Sequence, residues 1–259
     1  GKQGQPQTQE TESMFKQGDE VAPIDKTTVK LVDPSGNEVT TMPAMKDGKQ
    51  VGTYTINPLT GEVTFKPNKD FVGTPDGIKV QAKDANGTPA TATYTPTVTP
   101  VTPTAENVES TGKQGQEQKQ TPKFTEGDPV APITINADQP AKFIDPKTGE
   151  PTDATELPAM KDGKEVGTYT IDPTTGVITF QPNKDFTGTP DPAKVVAKDT
   201  NGTKVETTYT PTVTPVIPTA EPKETTGKQG QPQEGTPKFT QGDETAPITI
   251  NEEQPAKFV

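Results

Sequence analysis

The sequence contains no cysteine, no histidine and no tryptophan, and all 25 of its basic residues are lysine. Each absence removes a class of chemistry. Without Cys or His there is no zinc site of the usual kind, no haem, no iron–sulfur cluster and no thiol nucleophile. Triads that use His as the base are excluded as well. With no Arg and 36 acids, the net charge is -11, which argues against a surface that tracks nucleic-acid phosphates. No disulfide framework can form, so cysteine pairing says nothing of the redox compartment. Apolar residues are scarce too, at 26% of the chain with 5% aromatic. No apolar run approaches the roughly 18 residues that a membrane helix needs. The opening residues GKQGQPQTQE lack the apolar stretch of a signal peptide, so the chain reads as an internal piece of a longer protein.

What is abundant is threonine, 47 residues against three serines (Ser13, Ser35, Ser110), together with 30 Pro and 23 Gly. A flexible linker would favour Ser and Gly, and a disordered acidic tail Glu and Ser. Thr is β-branched and suits a half-buried pleated surface. The composition sits near disorder, yet its choice of polar residue points to strands.

The chain repeats. GKQGQPQ at Gly1 returns as GKQGQEQ at Gly112 and as GKQGQPQ at Gly227, and Met42–Pro100 aligns with Leu157–Pro215 without a gap. Phe15, Phe124 and Phe239 each introduce a Gly-Asp pair (Gly18-Asp19, Gly127-Asp128, Gly242-Asp243) followed by Ala-Pro-Ile. A period above a hundred residues exceeds the 20–50 of a solenoid unit, so each copy is expected to be a domain. The expected organisation is a first repeat over 1–100, linker-like over 1–14 and a sandwich from about 15. A Pro/Thr-rich linker follows over 101–111, a second repeat over 112–215, a linker over 216–226 and the start of a third repeat over 227–259. That last piece lacks the strands that would cover it and is not expected to fold alone.

Within a unit the pattern is alternation. Lys26–Val32, Gln50–Ile56, Glu62–Lys66, Gly77–Lys83 and Thr88–Val98 read as strands, with Tyr54 and Ile56, Val63 and Phe65, and Ile78, Val80 and Ala82 each sharing a face. Asn57–Gly61 and Asp172–Gly176 read as tight turns with Pro early and Gly late. Asp84–Gly87 and Asp199–Gly202 read as hairpins closed by Asn-Gly in the type I′ geometry. This much proline leaves no helical stripe. The expected fold is all-β: tandem Ig-like β-sandwich modules of about six or seven strands each, arranged end to end. Between them, Pro100–Pro122 begins with a PxxP-like stretch that favours polyproline II. Its second half carries GKQGQ, whose retention in all three copies exceeds what a passive spacer requires and points to packing on the neighbouring sandwich.

The run GKQGQPQ…TPKFTQGD…API, then VGTYTIDPTTGVITFQPNKDFTGTP, then AKDTNGT…TTYTPTVTP, resembles the CshA-type fibril repeat of Gram-positive cell-wall-anchored surface proteins. The PNKDFTGTP…D-x-N-G portion is also similar to bacterial Ig-like and cadherin-like repeats. The resemblance implies an extracellular, cell-wall-anchored stalk that projects an adhesive tip, with host ligands bound by regions outside this stretch.

The acidic and Asn-Gly positions are also what ordinary turn chemistry uses. Asp70, Asp76 and Asp84, with their copies Asp185, Asp191 and Asp199, supply oxygen ligands of the kind calcium takes, but no D-x-D-x-D-G loop is present. Paired acids for glycoside hydrolysis lack an aromatic-lined cleft. Asn86-Gly87-Thr88 and Asn201-Gly202-Thr203 match a glycosylation acceptor and, more simply, a turn. Lys79 and Lys194 are the candidates for an isopeptide cross-link, and alternation puts both on the outer face. The sequence therefore yields no catalytic, cofactor-binding or metal-binding residue, no cofactor and no identified ligand-binding residue. Expected partners are adjacent repeats of the same chain, with no nucleic acid and no membrane insertion. A structural stalk is the leading reading, and repeats that themselves bind a host protein or glycan the alternative.

Overall fold

A computed structural model describes residues 1–259. The chain divides into two compact units. The first comprises Gly1–Ala105 with Phe124–Ile135 and Ala197–Glu206, the second Glu106–Lys123, Asn136–Val196 and Thr207–Val259.

In the first unit the elements are β1 (Gln7–Gln9), a single helical turn α1 (Thr11–Met14), β2 (Ile24–Val32), β3 (Glu38–Val39), β4 (Thr41–Lys46), β5 (Lys49–Ile56), β6 (Val63–Pro67), β7 (Ile78–Asp84) and β8 (Pro89–Tyr94). They form two four-stranded sheets, β1-β6-β5-β4 and β3-β2-β7-β8. The alternation seen in the sequence sets which side chains meet. Val29 and Leu31 of β2, Tyr54 and Ile56 of β5, Val63 and Phe65 of β6, and Ile78, Val80 and Ala82 of β7 form one buried cluster. Residues 7–9 and 11–14, read from the sequence as linker, are part of this body: β1 pairs antiparallel with β6, and Thr11 is buried with its hydroxyl donating to the Thr60 carbonyl at 3.3 Å.

The second unit and its edges carry β9 (Thr104–Glu106), β10 (Val108–Lys113), β11 (Gln118–Gln120), β12 (Lys123–Thr125), β13 (Lys142–Phe143), β14 (Glu156–Lys161), β15 (Lys164–Ile171), β16 (Ile178–Pro182), β17 (Ala193–Lys198) and β18 (Lys204–Thr214). The sheets β11-β16-β15-β14 and β10-β18-β17-β13 enclose Phe143, Tyr169, Phe180, Val195 and Tyr209. β10 lies parallel to β18, Val108 opposite Tyr209. The Pro/Thr-rich text before Gly112 thus ends in an edge strand, because Val108, Ser110 and Gly112 alternate inward at a sheet margin that offers unpaired backbone groups.

The fold is all-β, a tandem of Ig-like sandwiches. β4 and β14, which the sequence reading passed over, carry Pro43 and Pro158; both are edge strands, where a missing N–H costs no ladder bond. Hairpin geometry also departs from expectation. Asn86 and Asn201 do not have positive φ, whereas Gly87 and Gly202 do. The Gly87 N–H bonds to the Asp84 carbonyl at 2.9 Å and the Asp84 N–H to Thr88 at 3.0 Å, a type I turn followed by a left-handed glycine. The type I′ loops are instead Asp47-Gly48 and Asp162-Gly163, in which both residues have positive φ.

Each core centres on an aromatic trio. Tyr54 lies 5.0 Å from Phe65 and 6.0 Å edge-on from Tyr94; Tyr169 lies 5.1 Å from Phe180 and 6.1 Å from Tyr209. Gly52 and Gly167 make room for the phenyl rings, since a Cβ would approach Phe65 to 2.8 Å and Phe180 to 2.9 Å. The trios differ in the partners of their hydroxyls, and Tyr209 also meets the Ser110 hydroxyl at 2.7 Å. The Tyr169 hydroxyl donates to the Asp191 carbonyl at 2.9 Å, whereas the buried Tyr54 hydroxyl has no partner.

Beyond the second sandwich, β19 (Thr219–Glu221) pairs with β20 (Lys238–Thr240). From Ile217 onward every residue except Asp243 is exposed, so this stretch has no core.

Two outcomes follow from this packing. Tyr169→Phe costs about 1 kcal/mol in denaturant unfolding, while Tyr54→Phe is neutral or stabilising because it removes an unmet polar group. In limited digestion, trypsin cuts first after Lys223 and Lys228, both in the exposed stretch; early cleavage inside β15 or β16 instead would contradict the fold.

Candidate functional site at the GKQGQ segment

The structure gives each residue of the retained segment a task. In the first copy the Gln3 N–H bonds to the Thr99 carbonyl and the Thr99 N–H to Gly1, each at 2.8 Å, so residues 1–3 run beside the last segment of their own repeat. Gln3 is 5% exposed, and both ends of its amide are used: Nε2 donates to the Lys69 carbonyl at 3.0 Å, and Oε1 accepts from the Val101 N–H at 3.2 Å. Gly4 turns the chain at φ +76°, closing Gln5 N–H onto the Lys2 carbonyl at 3.1 Å. Gly1 leaves space for Gln7, whose Nε2 donates to Thr97 at 3.0 Å.

The second copy repeats this arrangement. Gln114 N–H bonds to Thr214, its Nε2 to Lys184 at 2.9 Å, and its Oε1 accepts from Val216 at 3.2 Å. Gly115 turns at φ +78°. In the third copy the turn is kept, Gln231 N–H bonding to the Lys228 carbonyl at 3.1 Å, and Gly227 again lies against Gln233.

The turn projects the lysine and the glutamine carbonyl onto chemistry supplied by the Gly-Asp motif and the D-x-N-G-T hairpin. Within the first compact unit, Lys2 Nζ donates to Asp128 Oδ2, and the other Asp128 oxygen accepts from the Val130 N–H at 3.1 Å. The Asn201 amide donates to the Gln3 carbonyl at 3.3 Å, and Gln3 Nε2 reaches the Thr203 hydroxyl at 3.4 Å. Asn201 is held in place by Asp199, which accepts from the Asn201 and Thr203 N–H groups at 2.9 and 2.8 Å. Within the second unit, Lys113 Nζ donates to Asp243 Oδ2 and Gln116 to the Thr245 hydroxyl at 3.2 Å.

The sequence candidates fall elsewhere. Asp84 and Asp199 spend a carboxylate oxygen on the N–H groups of their own turns, and no three acidic side chains converge as a metal site would need. Lys79 and Lys194 are exposed on β7 and β17. The pairing of Lys2 with Asp128 and of Lys113 with Asp243 escaped the sequence reading, although the signal was present: both motifs recur at matched positions in successive copies.

The lysine contact holds the Asp128 carboxyl below its ordinary 3.8, with the Val130 N–H assisting and desolvation opposing. Asp243 is lowered likewise, by Lys113 first and then by Thr245. A depressed folded-state value means that the stabilisation is complete above the unfolded value and lost as pH falls through the folded one. In carboxyl NMR, Asp128 is therefore expected to titrate below 3.8, and Lys2→Ala to return it toward the ordinary range. No change on removing Lys2 would break the assignment.

Comparison with known proteins gives the following. Solved structures similar to this chain include the N-terminal eight Ig domains of Down syndrome cell adhesion molecule, with 14% identity over 76% of this chain and 21% of that one, TM-score 0.27. Cadherin domains 1–4 of protocadherin gamma B7 give 16% over 78% and 50%, TM-score 0.28. The Ig1-2 module of Drosophila receptor protein tyrosine phosphatase DLAR gives 14% over 74% and 84%, TM-score 0.24. The chain thus spans about a fifth of the first of these and half of the second. No curated protein matches it in sequence. The family model described as the surface adhesin CshA repetitive domain matches three times, over residues 1–98, 100–213 and 215–259. With almost every residue inside one of those matches, the chain belongs to the CshA repetitive-domain family of surface adhesins.

Proposed function

We propose that these repeats are a non-enzymatic spacer: stalk modules of a fibrillar adhesin on a Gram-positive cell wall, setting the distance from the wall to an adhesive tip. The modules we assign are 1–100 and 112–215, with connecting stretches at 101–111, the last residues of which join β18 as the start of β10, and at 216–226, and a further repeat beginning at 227. One observation carries the reading. The same Gly-Lys-Gln-Gly segment, in two successive copies, is bonded to the end of its own repeat through Gln3 or Gln114 and to the next Gly-Asp motif through Lys2 or Lys113. A contact that recurs once per repeat adds identical increments, which is what a spacer needs.

Other features agree. In both sandwiches the aromatic side chains Tyr54, Phe65, Phe143, Tyr169, Phe180 and Tyr209 are buried, leaving little aromatic surface for gripping a host ligand. A net charge of -11 disfavours lateral sticking of like stalks. Partners of the repeats are adjacent repeats, and host ligands belong to regions outside this stretch.

The test is length against repeat number. Small-angle scattering on chains carrying one, two and three complete repeats is expected to show a constant increase in maximum dimension per repeat. Increments that shrink with each addition would refute the spacer reading.

A further inference from the structure

The first and last strands of the second repeat lie side by side and run the same way. β10 pairs with β18 from Val108 opposite Tyr209 to Lys113 opposite Thr214. Other bonds lengthen the pairing at both ends. The Thr207 hydroxyl donates to the Glu106 carbonyl at 2.7 Å, and the Thr208 N–H to Asn107 Oδ1 at 3.1 Å. Beyond Lys113, the Gln114 N–H bonds to the Thr214 carbonyl at 2.8 Å, and Gln114 Oε1 accepts from the Val216 N–H at 3.2 Å. Buried Gln118 of β11 ties the two strands together: its Nε2 donates to the Thr212 carbonyl at 3.1 Å, and its Oε1 accepts from the Ser110 hydroxyl.

The two strands are not equally rooted. Tyr209 and Val213 of β18 are buried, and Val213 exchanges two backbone bonds with Gly188 at 2.8 and 2.9 Å. β10 is the outer strand of its sheet and has no fully buried side chain. The strand able to slide is therefore β10, and its bonds to β18 and Gln118 are what oppose the slide.

The chain enters this pairing at the start of β10 and leaves it at the end of β18. In a parallel pair those points lie at opposite ends of the ladder, so tension along the chain draws the strands past each other. The rungs of a parallel ladder are evenly spaced, and shear loads them together, whereas pulling the strands apart at one end would break them in turn. While the ladder holds, everything between Lys113 and Tyr209 lies outside the path of the load, including β13–β17 and their share of the aromatic trio.

We infer that β10 and β18 form a shear lock, which carries tension across the second repeat and shelters its core. Forced unfolding follows the barrier to rupture rather than the equilibrium stability, so a module with a thin core holds load as long as this one ladder is intact. The first repeat places the same groups in the same sense: Lys2 bridges Thr99 in parallel, and Gln7 reaches the Thr97 carbonyl at 3.0 Å as Gln118 reaches Thr212. The inference goes beyond spacing, because it concerns the load that a module bears and not the length that it adds.

Single-molecule pulling on the full chain tests this, with paired cysteines as handles, since the chain has none of its own. Glu106→Cys with Thr214→Cys loads the ladder in shear. Lys113→Cys with Thr214→Cys, two positions facing each other at one end, peels it. All three side chains are exposed. Shear is expected to require a several-fold higher force than peeling and to release about 350 Å of chain in a single step, at ~3.3–3.6 Å per residue. Gln118→Met, which removes the tie and leaves the backbone ladder, is expected to lower the shear force. Equal forces in the two directions, partial release from within the repeat before the main step, or a shear force that Gln118→Met leaves unchanged would each overturn the inference. Constant length increments in scattering together with equal pulling forces would keep the spacer and discard the lock.

Discussion

Two main-chain groups grip the carboxamide of Gln3, the Lys69 carbonyl at its nitrogen and the Val101 N–H at its oxygen, and Gln114 is gripped the same way by Lys184 and Val216. An amide with both ends bonded has one orientation, since rotating it would leave a donor and an acceptor unmet. That constraint fixes the segment beside the last residues of its repeat. The backbone of the left-handed glycine next to it and of the lysine before it is placed by the same bonds. Without the glutamine, Lys2 would be one more solvated surface charge, and an exposed ion pair alone contributes little.

The glycines at 4 and 115 show how one local geometry can serve two environments. Both turn at nearly the same φ, so both need glycine for backbone reasons. Only at Gly4 is the absent side chain also a matter of space, because Asn201 packs there. The Asp-x-Asn-Gly-Thr hairpin is equally economical: its aspartate ties down the turn, which frees the asparagine side chain to face outward and act as a recognition group. Repeat proteins depend on such nearest-neighbour interface terms for cohesion along the chain.

Membership in the surface adhesin repeat family and an all-β tandem of Ig-like sandwiches agree with a chain whose polar residue of choice is threonine. Thr fills the outward positions of β5, β6 and β8 with a side chain that accepts the pleat and offers a hydroxyl. Thr64 of β6 with Thr8 of β1 at 3.2 Å is an example. A thin core is enough for modules of this kind, since each centres on an aromatic trio filled out by small β-branched neighbours.

Much was legible from residue order alone. Period-two alternation located β2, β5, β6, β7 and β8, because one buried face forces apolar residues onto every second position. The repeats located the copies, and the D-x-N-G and N/D-P-x-T-G strings located the turns. Tertiary structure decided what periodicity cannot encode. Pro43 and Pro158 disguised edge strands whose N–H groups no neighbour required, and the Pro/Thr-rich text before Gly112 became β10 only because β18 presented an open margin. The pairing of Lys2 with Asp128 and of Asn201 with the Gln3 carbonyl depends on groups far apart in the chain. Their meeting is set by where the sheets end, a three-dimensional fact that no local pattern of side chains carries.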